Sequence, residues 1–78
     1  MKATIWSKDM CPYCEQAKAL LTTKGIEYDE KKIAPGSYTK EQLLESVPTA
    51  RTVPQIFLGD LYIGGFDKLK EYFSKERV

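Results

Sequence analysis

Ala3-Thr4-Ile5-Trp6-Ser7-Lys8-Asp9-Met10-Cys11-Pro12-Tyr13-Cys14 opens on a short run of β-branched and aromatic side chains and closes on two cysteines two residues apart. The run Ala3 to Trp6 reads as a buried strand, and Ser7 to Met10 as a polar turn. Pro12 suits the first position of a helix, where a missing N–H costs nothing, and Ala17, Leu20 and Leu21 then recur at helical spacing. The cysteine pair therefore falls at a strand-to-helix junction. There the unpaired N–H groups and the positive end of the helix dipole stabilise a thiolate and lower its pKa, so the pair reads as a redox dithiol able to exchange with a substrate disulfide.

Other readings of the pair are weaker. A structural staple across two residues constrains little of the unfolded chain, because disulfide stabilisation grows with loop length. Tetrahedral zinc usually needs two further sulfur or imidazole ligands, and the sequence has no other cysteine and no histidine. Carboxylates or a second chain would have to complete such a site.

Outward from this junction the chain continues the same pattern. Lys24-Gly25 ends the first helix, with Gly25 free to take a left-handed cap. Ile26 to Lys32 reads as a second strand, making a β-α-β start. After Pro35-Gly36, Thr39 and Gln42 have capping-box spacing ahead of Leu43 and Leu44, which predicts a helix over 40–47 stopped by Pro48. Val53 to Leu58 and Leu61 to Gly64 read as strands joined through Gly59-Asp60 in a hairpin. Gly64-Gly65 breaks the last strand, and a third helix carries Leu69, Tyr72 and Phe73 on one face, with Asp67 near its N-terminus. The predicted order is βαβαββα, with no repeat, linker or low-complexity tract.

Seventy-eight residues suffice for one domain, expected over 1–78, near the size at which a single core is marginal. Twelve Lys and Arg against eleven Asp and Glu leave a net charge of +1, which supplies no general attraction to nucleic acid or to an anionic membrane. No apolar run approaches bilayer-spanning length, and the Met-Lys start leads into a strand rather than a signal-peptide core. A cytoplasmic, monomeric protein is expected, since a reducing cytosol favours catalytic over structural dithiols.

Three separated segments, Cys11-Pro12-Tyr13-Cys14, Thr52-Val53-Pro54-Gln55-Ile56-Phe57 and Gly64-Gly65-Phe66-Asp67, occur in the order found in glutaredoxins. The chain resembles a small dithiol glutaredoxin over almost all its length. The resemblance implies an α/β, thioredoxin-like fold, a four-stranded mixed sheet flanked by three helices, with Val53-Pro54 as a cis peptide. It implies Cys11 as the nucleophile that carries a glutathione mixed disulfide and Cys14 as the resolving thiol. It also implies that the backbone of Val53, held by Pro54, pairs with a peptide-like ligand as a one-residue strand.

Around these residues a glutathione site is expected, each member having a plainer rival. Lys8 brings an ammonium toward the thiolate and a ligand carboxylate, against a solvated loop lysine. Tyr13 lines the groove, against an aromatic that covers the helix start. Arg51 offers a bidentate bond to a carboxylate, against a free surface arginine. Thr52 adds a hydroxyl, though a β-branched residue entering a strand needs no such role. Gly65, Phe66 and Asp67 present helix N-terminal N–H donors to the γ-glutamyl carboxylate, with Asp67 on the α-amino group, against Asp67 as a simple cap. Phe66 departs from the small residue often found there in glutaredoxins, although its N–H can still donate. Trp6, Tyr28, Tyr38, Tyr62, Tyr72 and Phe73 are assigned to packing, and Lys31-Lys32 and Lys75-Glu76-Arg77 to ordinary charged surface.

The function expected is glutathione-dependent reduction of protein disulfides and glutathione mixed disulfides. Glutathione is the cosubstrate, with no bound cofactor and no metal. Expected partners are glutathione and disulfide-containing or glutathionylated proteins, ribonucleotide reductase being a recurring partner of the family. Two alternatives differ in a readable way. A protein reduced by thioredoxin reductase would not need Lys8, Arg51, Gly65 and Asp67. A protein in which two chains, through Cys11, and two glutathiones hold a [2Fe-2S] cluster would be coloured, and Pro12 after the nucleophile argues against it by family analogy.

Overall fold

The computed structural model describes residues 2–75. Its elements are β1 (Lys2–Lys8), α1 (Pro12–Thr23), β2 (Glu27–Ile33), α2 (Lys40–Ser46), β3 (Gln55–Leu58), β4 (Leu61–Gly64) and α3 (Phe66–Lys75). The expected order βαβαββα is the observed one. The strands form one mixed sheet in the order β2-β1-β3-β4, with β1 parallel to β2 and antiparallel to β3, and β3 antiparallel to β4.

Alternation along the strands sorts the core into two layers, because successive side chains of a strand point to opposite faces. Ala3, Ile5, Ile56 and Leu58 turn one face toward α1 and α3, where Ala17, Leu21, Leu69 and Phe73 close a buried cluster. Trp6 turns to the other face and meets Leu43 and Val47 at the α2 end, with Ile33, Ala50, Val53 and Phe57 packed around them. Each aliphatic side chain fully buried here contributes about 1.5–3 kcal/mol.

Local signals set the helix ends. Pro12 occupies the first turn of α1, and Gly25 takes φ +72 just past its last turn, as the expected left-handed cap requires. The Thr39/Gln42 capping box is formed: the Thr39 hydroxyl accepts from Gln42 N–H at 3.1 Å, and Gln42 Oε1 accepts from Thr39 N–H at 2.7 Å. Val47 lies just past α2, its N–H on the Leu43 carbonyl at 2.7 Å.

Several boundaries differ from the expectation; β2 ends at Ile33 rather than Lys32 and α2 at Ser46 rather than Val47. Ser7 and Lys8 belong to β1 rather than to a turn, because they pair with Lys32 and Ile33 of the parallel neighbour. Ile26 is excluded from β2, since its N–H is taken by the Leu21 carbonyl at 2.9 Å at the end of α1. Val53 and Pro54 precede β3 in a turn containing the cis Val53-Pro54 peptide. Glu76 and Arg77, read as charged surface, lie outside the described residues. Among the described residues no helix is long and apolar enough to cross a membrane.

Candidate active site

Cys11 is the N-cap of α1, and this single fact organises the site. Its backbone is extended (φ −120, ψ 94) and its Sγ accepts the Cys14 N–H at 3.2 Å, so the sulfur sits where a helix expects a capping oxygen. A negative charge on that sulfur is stabilised both by the bond and by the helix N-terminus. Cys11 and Cys14 are joined as a disulfide with Cα atoms 5.2 Å apart. Cys11 is 8% exposed and Cys14 is 0% exposed, so an incoming group meets Cys11 first. Met10, left-handed at φ 55 and exposed, turns the chain from β1 into this cap.

The turn before β3 faces the same sulfur. Cys11 Sγ lies 3.9 Å from the Val53 carbonyl oxygen. Among the described residues neither the N–H nor the C=O of Val53 has a backbone partner. Gln55 holds this turn: its Nε2 donates to the Thr52 carbonyl at 2.8 Å, and its Oε1 accepts the Tyr62 hydroxyl at 2.6 Å. Gln55 and Tyr62 were assigned to the strand and to packing, and the structure adds this buttressing role. The spacing of a strand offers no signal for it, because the partner comes from the next strand.

Two clefts meet at Thr52 and Val53. One, of about 380 Å³, runs from there along Tyr13, Pro54 and the start of α3, where Gly65, Phe66, Asp67 and Lys68 line it. The other, of about 200 Å³, runs toward α2 and includes Lys8 and Arg51. Every residue proposed from the sequence for ligand binding thus lines one cleft or the other, and the junction lies beside Cys11. Lys68 was not anticipated, since an exposed helix lysine carries no distinguishing signal.

The two ends of the first cleft differ in what holds them. The ring of Tyr13 stands 6.0 Å from that of Phe66, which itself packs on the core and under the Lys70 ammonium. The larger side chain at Phe66 is therefore accommodated. Asp67 is the second residue of α3, 91% exposed, with Lys70 at 4.0 Å. The Leu69 N–H goes to the Gly65 carbonyl at 3.0 Å, which makes Gly65 the capping position and removes the simple-cap reading of Asp67. Of the two glycines, Gly64 is the one the backbone requires. It has φ +118, and a Cβ there would lie 3.1 Å from Lys68 Cγ, whereas a Cβ on Gly65 would make ordinary contact at 3.6 Å with the Pro54 carbonyl.

Beneath α1 lies a polar cluster that local sequence did not reveal. The buried Ser7 hydroxyl donates to Glu30 Oε2 at 2.6 Å, and Lys18 reaches Glu15 at 2.7 Å and Glu30 at 3.0 Å. The Ser7 hydroxyl foremost, then Lys18, holds the Glu30 carboxyl below its ordinary range, against partial desolvation. Glu15 foremost raises the Lys18 ammonium above its ordinary range. Lys32, read as plain surface, pairs with Asp9 at 2.9 Å and so ties β2 to the loop before Cys11. Lys31 lies over the rings of Trp6 and Tyr38.

A dithiol at a helix N-terminus, opposed by a turn before β3 on a β2-β1-β3-β4 sheet, defines a thiol–disulfide oxidoreductase of the thioredoxin-like class. Comparison with known proteins narrows the class. The glutaredoxin family model matches residues 3–63. Glutaredoxin 3 of Escherichia coli is 42% identical over 65 residues, covering 83% of this chain and 77% of that protein. Among solved structures, glutaredoxin 1 from Francisella tularensis, complexed with cacodylate, superposes with a TM-score of 0.80 at 32% identity, covering 96% of this chain and 94% of the other. A buckwheat glutaredoxin–glutathione complex superposes with a TM-score of 0.79 at 29% identity, covering 96% and 70%. The chain belongs to the glutaredoxin family.

Proposed function

We propose that this chain reduces protein disulfides and glutathione mixed disulfides at the expense of glutathione. The observation that carries the reading is the meeting of the two clefts at Thr52 and Val53, whose carbonyl lies 3.9 Å from Cys11 Sγ. In this reading a glutathionyl sulfur on Cys11 has its γ-glutamyl end over Gly65 and Phe66, whose N–H groups at the start of α3 suit a carboxylate, with Asp67 on the α-amino group. Val53, whose N–H and C=O have no backbone partner among the described residues, supplies both to the cysteinyl backbone. The glycyl carboxylate points toward Lys8 and Arg51. A neighbouring family member solved with glutathione supports the choice of ligand.

The chemistry is stepwise exchange. With the dithiol reduced, the Cys11 thiolate attacks one sulfur of a substrate disulfide. A Cys11–substrate disulfide forms and the other substrate sulfur leaves as a thiolate that takes a proton. The Cys14 thiolate then attacks Cys11 Sγ, releasing the second substrate sulfur and forming the Cys11–Cys14 disulfide. Two glutathiones restore the dithiol: the first opens the disulfide and stays on Cys11 while Cys14 regains its thiol, and the second attacks the glutathionyl sulfur, breaking its bond to Cys11, so that glutathione disulfide departs and Cys11 is left as the thiolate. Two electrons pass in each direction. For a glutathionylated protein, Cys11 alone suffices, with a free glutathione resolving the intermediate. A reducing cytosol suits this cycle. Ribonucleotide reductase, a recurring partner of the family, is the first protein substrate to try.

A coupled assay tests the proposal. NADPH oxidation with glutathione and glutathione reductase as the electron source is expected to sustain turnover of a mixed-disulfide substrate, whereas thioredoxin reductase alone is not. Turnover with thioredoxin reductase only would remove glutathione from the function and leave the exchange chemistry of Cys11 and Cys14 in place.

A further inference from the structure

The cleft toward α2 is more than a seat for a glycyl carboxylate. Ile33, Leu43, Leu44 and Ala50 give it an apolar lining that runs up to Thr52 and Val53. Lys8, Lys40 and Arg51 also line it, all three exposed, and no acidic side chain does. Among the described residues none of these three cations has an ion-pair partner, in contrast to Lys2, Lys18, Lys32, Lys70 and Lys75.

The chemistry of glutathione leaves part of this cleft unfilled. Its residue after the cysteine is glycine, with no side chain to cover Leu44 and Ile33, and its single carboxylate at that end cannot serve three cations. In a protein substrate the same chain direction brings a residue with a side chain to this place. At about 200 Å³ the space is below the roughly 300 Å³ at which pockets begin to hold whole small ligands, so one branched side chain is the fitting occupant.

We propose that the α2 cleft is a specificity subsite for protein substrates, taking a branched apolar side chain directly after the reactive cysteine, with acidic residues next in the chain meeting Lys40 and its neighbours. This rests on the chain direction assigned above to glutathione. Leu44 and Lys40 are then specificity-determining, and neither is needed for exchange with glutathione itself. Lys40 opens α2, where an acidic replacement is compatible with the helix dipole, so Lys40→Glu leaves the fold in place.

The test is single-turnover oxidation of the pre-reduced protein by symmetric disulfides of short capped peptides, with glutathione absent. Cys11 attacks either equivalent sulfur, one peptide thiol leaves, and Cys14 releases the second, so one protein dithiol is oxidised as one peptide disulfide is reduced. The peptides carry Cys-Leu-Glu-Glu, Cys-Gly-Glu-Glu, Cys-Leu-Lys-Lys or the reversed order Glu-Glu-Leu-Cys. Cys-Leu-Glu-Glu is expected to react about tenfold faster than its glycine counterpart, the discrimination a small apolar pocket gives. It should exceed the lysine peptide by about threefold or more, as exposed ion pairs allow. Leu44→Ala should abolish the leucine preference and Lys40→Glu, which takes the cleft's three cations to a net single positive charge, should remove most of the charge preference. Equal rates for all peptides, or preferences that survive both substitutions, overturn the proposal. A preference for the reversed order overturns the assigned chain direction. The coupled glutathione assay contains no peptide, so failure of glutathione dependence is read separately from failure of this subsite.

Discussion

The Cys14 amide donates to Cys11 Sγ at 3.2 Å, so the second cysteine of the pair also caps the sulfur of the first. The two cysteines are therefore unequal before any substrate arrives. One has its sulfur at the helix entrance, and the other contributes its amide there while its own sulfur is fully covered.

Loss of each sulfur should have a different effect. Cys11→Ser is expected to abolish all exchange, because Cys14, the only other thiol, is fully covered. Cys14→Ser should retain reduction of glutathione mixed disulfides while losing the internal route for protein disulfides. Steady-state assays on both substrate types check this, and retained activity in Cys11→Ser with none in Cys14→Ser would reverse the two roles.

The capped position of Cys11 predicts early ionisation in the reduced protein. Iodoacetamide alkylation of a Cys14→Ser variant should reach half its maximal rate below about pH 8.5, where a free thiol ionises. A rate that climbs only above that pH would show that the helix terminus and the Cys14 N–H do not stabilise the thiolate.

Asp67 separates binding from stability. Exposed, inside the first turn and 4.0 Å from Lys70, it contributes at most a few tenths of a kcal/mol (about 0.3) to the fold. Asp67→Ala should therefore leave the melting temperature nearly unchanged while raising KM for glutathione or its mixed disulfide about tenfold, the loss of one charge-assisted hydrogen bond. A wild-type KM would take Asp67 out of the site.

Gly64 and Gly65 are expected to fail in different ways. Gly64→Ala forces φ +118 on a residue with a Cβ and crowds Lys68, so it should lower stability by about 1 kcal/mol or more. Gly65→Ala fits the unliganded protein at 3.6 Å from Pro54 and should instead weaken glutathione. Melting curves and glutathione kinetics on both variants decide between the assignments.

The Ser7–Glu30–Lys18 cluster makes a pH-dependent prediction. Glu30 titrates below its ordinary value in the fold, so its stabilising contribution is present above about pH 4.5 and is lost as pH falls through the lowered folded value. Ser7→Ala should cost about 1.5 kcal/mol at neutral pH, and the difference from the unmodified protein should shrink once Glu30 is protonated. Denaturation at a series of pH values from 7 down to the acid unfolding limit measures both, and a difference that never shrinks along that series would assign the cost to packing.

Much of this protein was legible locally. The two-residue spacing of Cys11 and Cys14 after an apolar run located the reactive junction, because a thiol at a helix entrance needs nothing from distant chain. Pro12, Gly25, and the Thr39/Gln42 box act within one turn, and the β3–β4 hairpin closes over two residues. The residues proposed here for glutathione were suggested only by resemblance to the family, since a lone Lys8, Arg51 or Asp67 reads equally well as surface.

Tertiary structure decided what depends on partners far along the chain. Ser7 and Lys8 look like turn residues until β2 pairs with them, and the Ser7 hydroxyl finds Glu30 only because parallel pairing brings the two strands side by side. Gln55 is one more strand residue until Tyr62 and Thr52 meet on either side of its amide. The junction of the clefts at Thr52 and Val53 belongs to the same class. It exists because antiparallel pairing of β1 with β3 sets the turn before β3 against the helix entrance after β1, and local propensity carries no record of such long-range pairing.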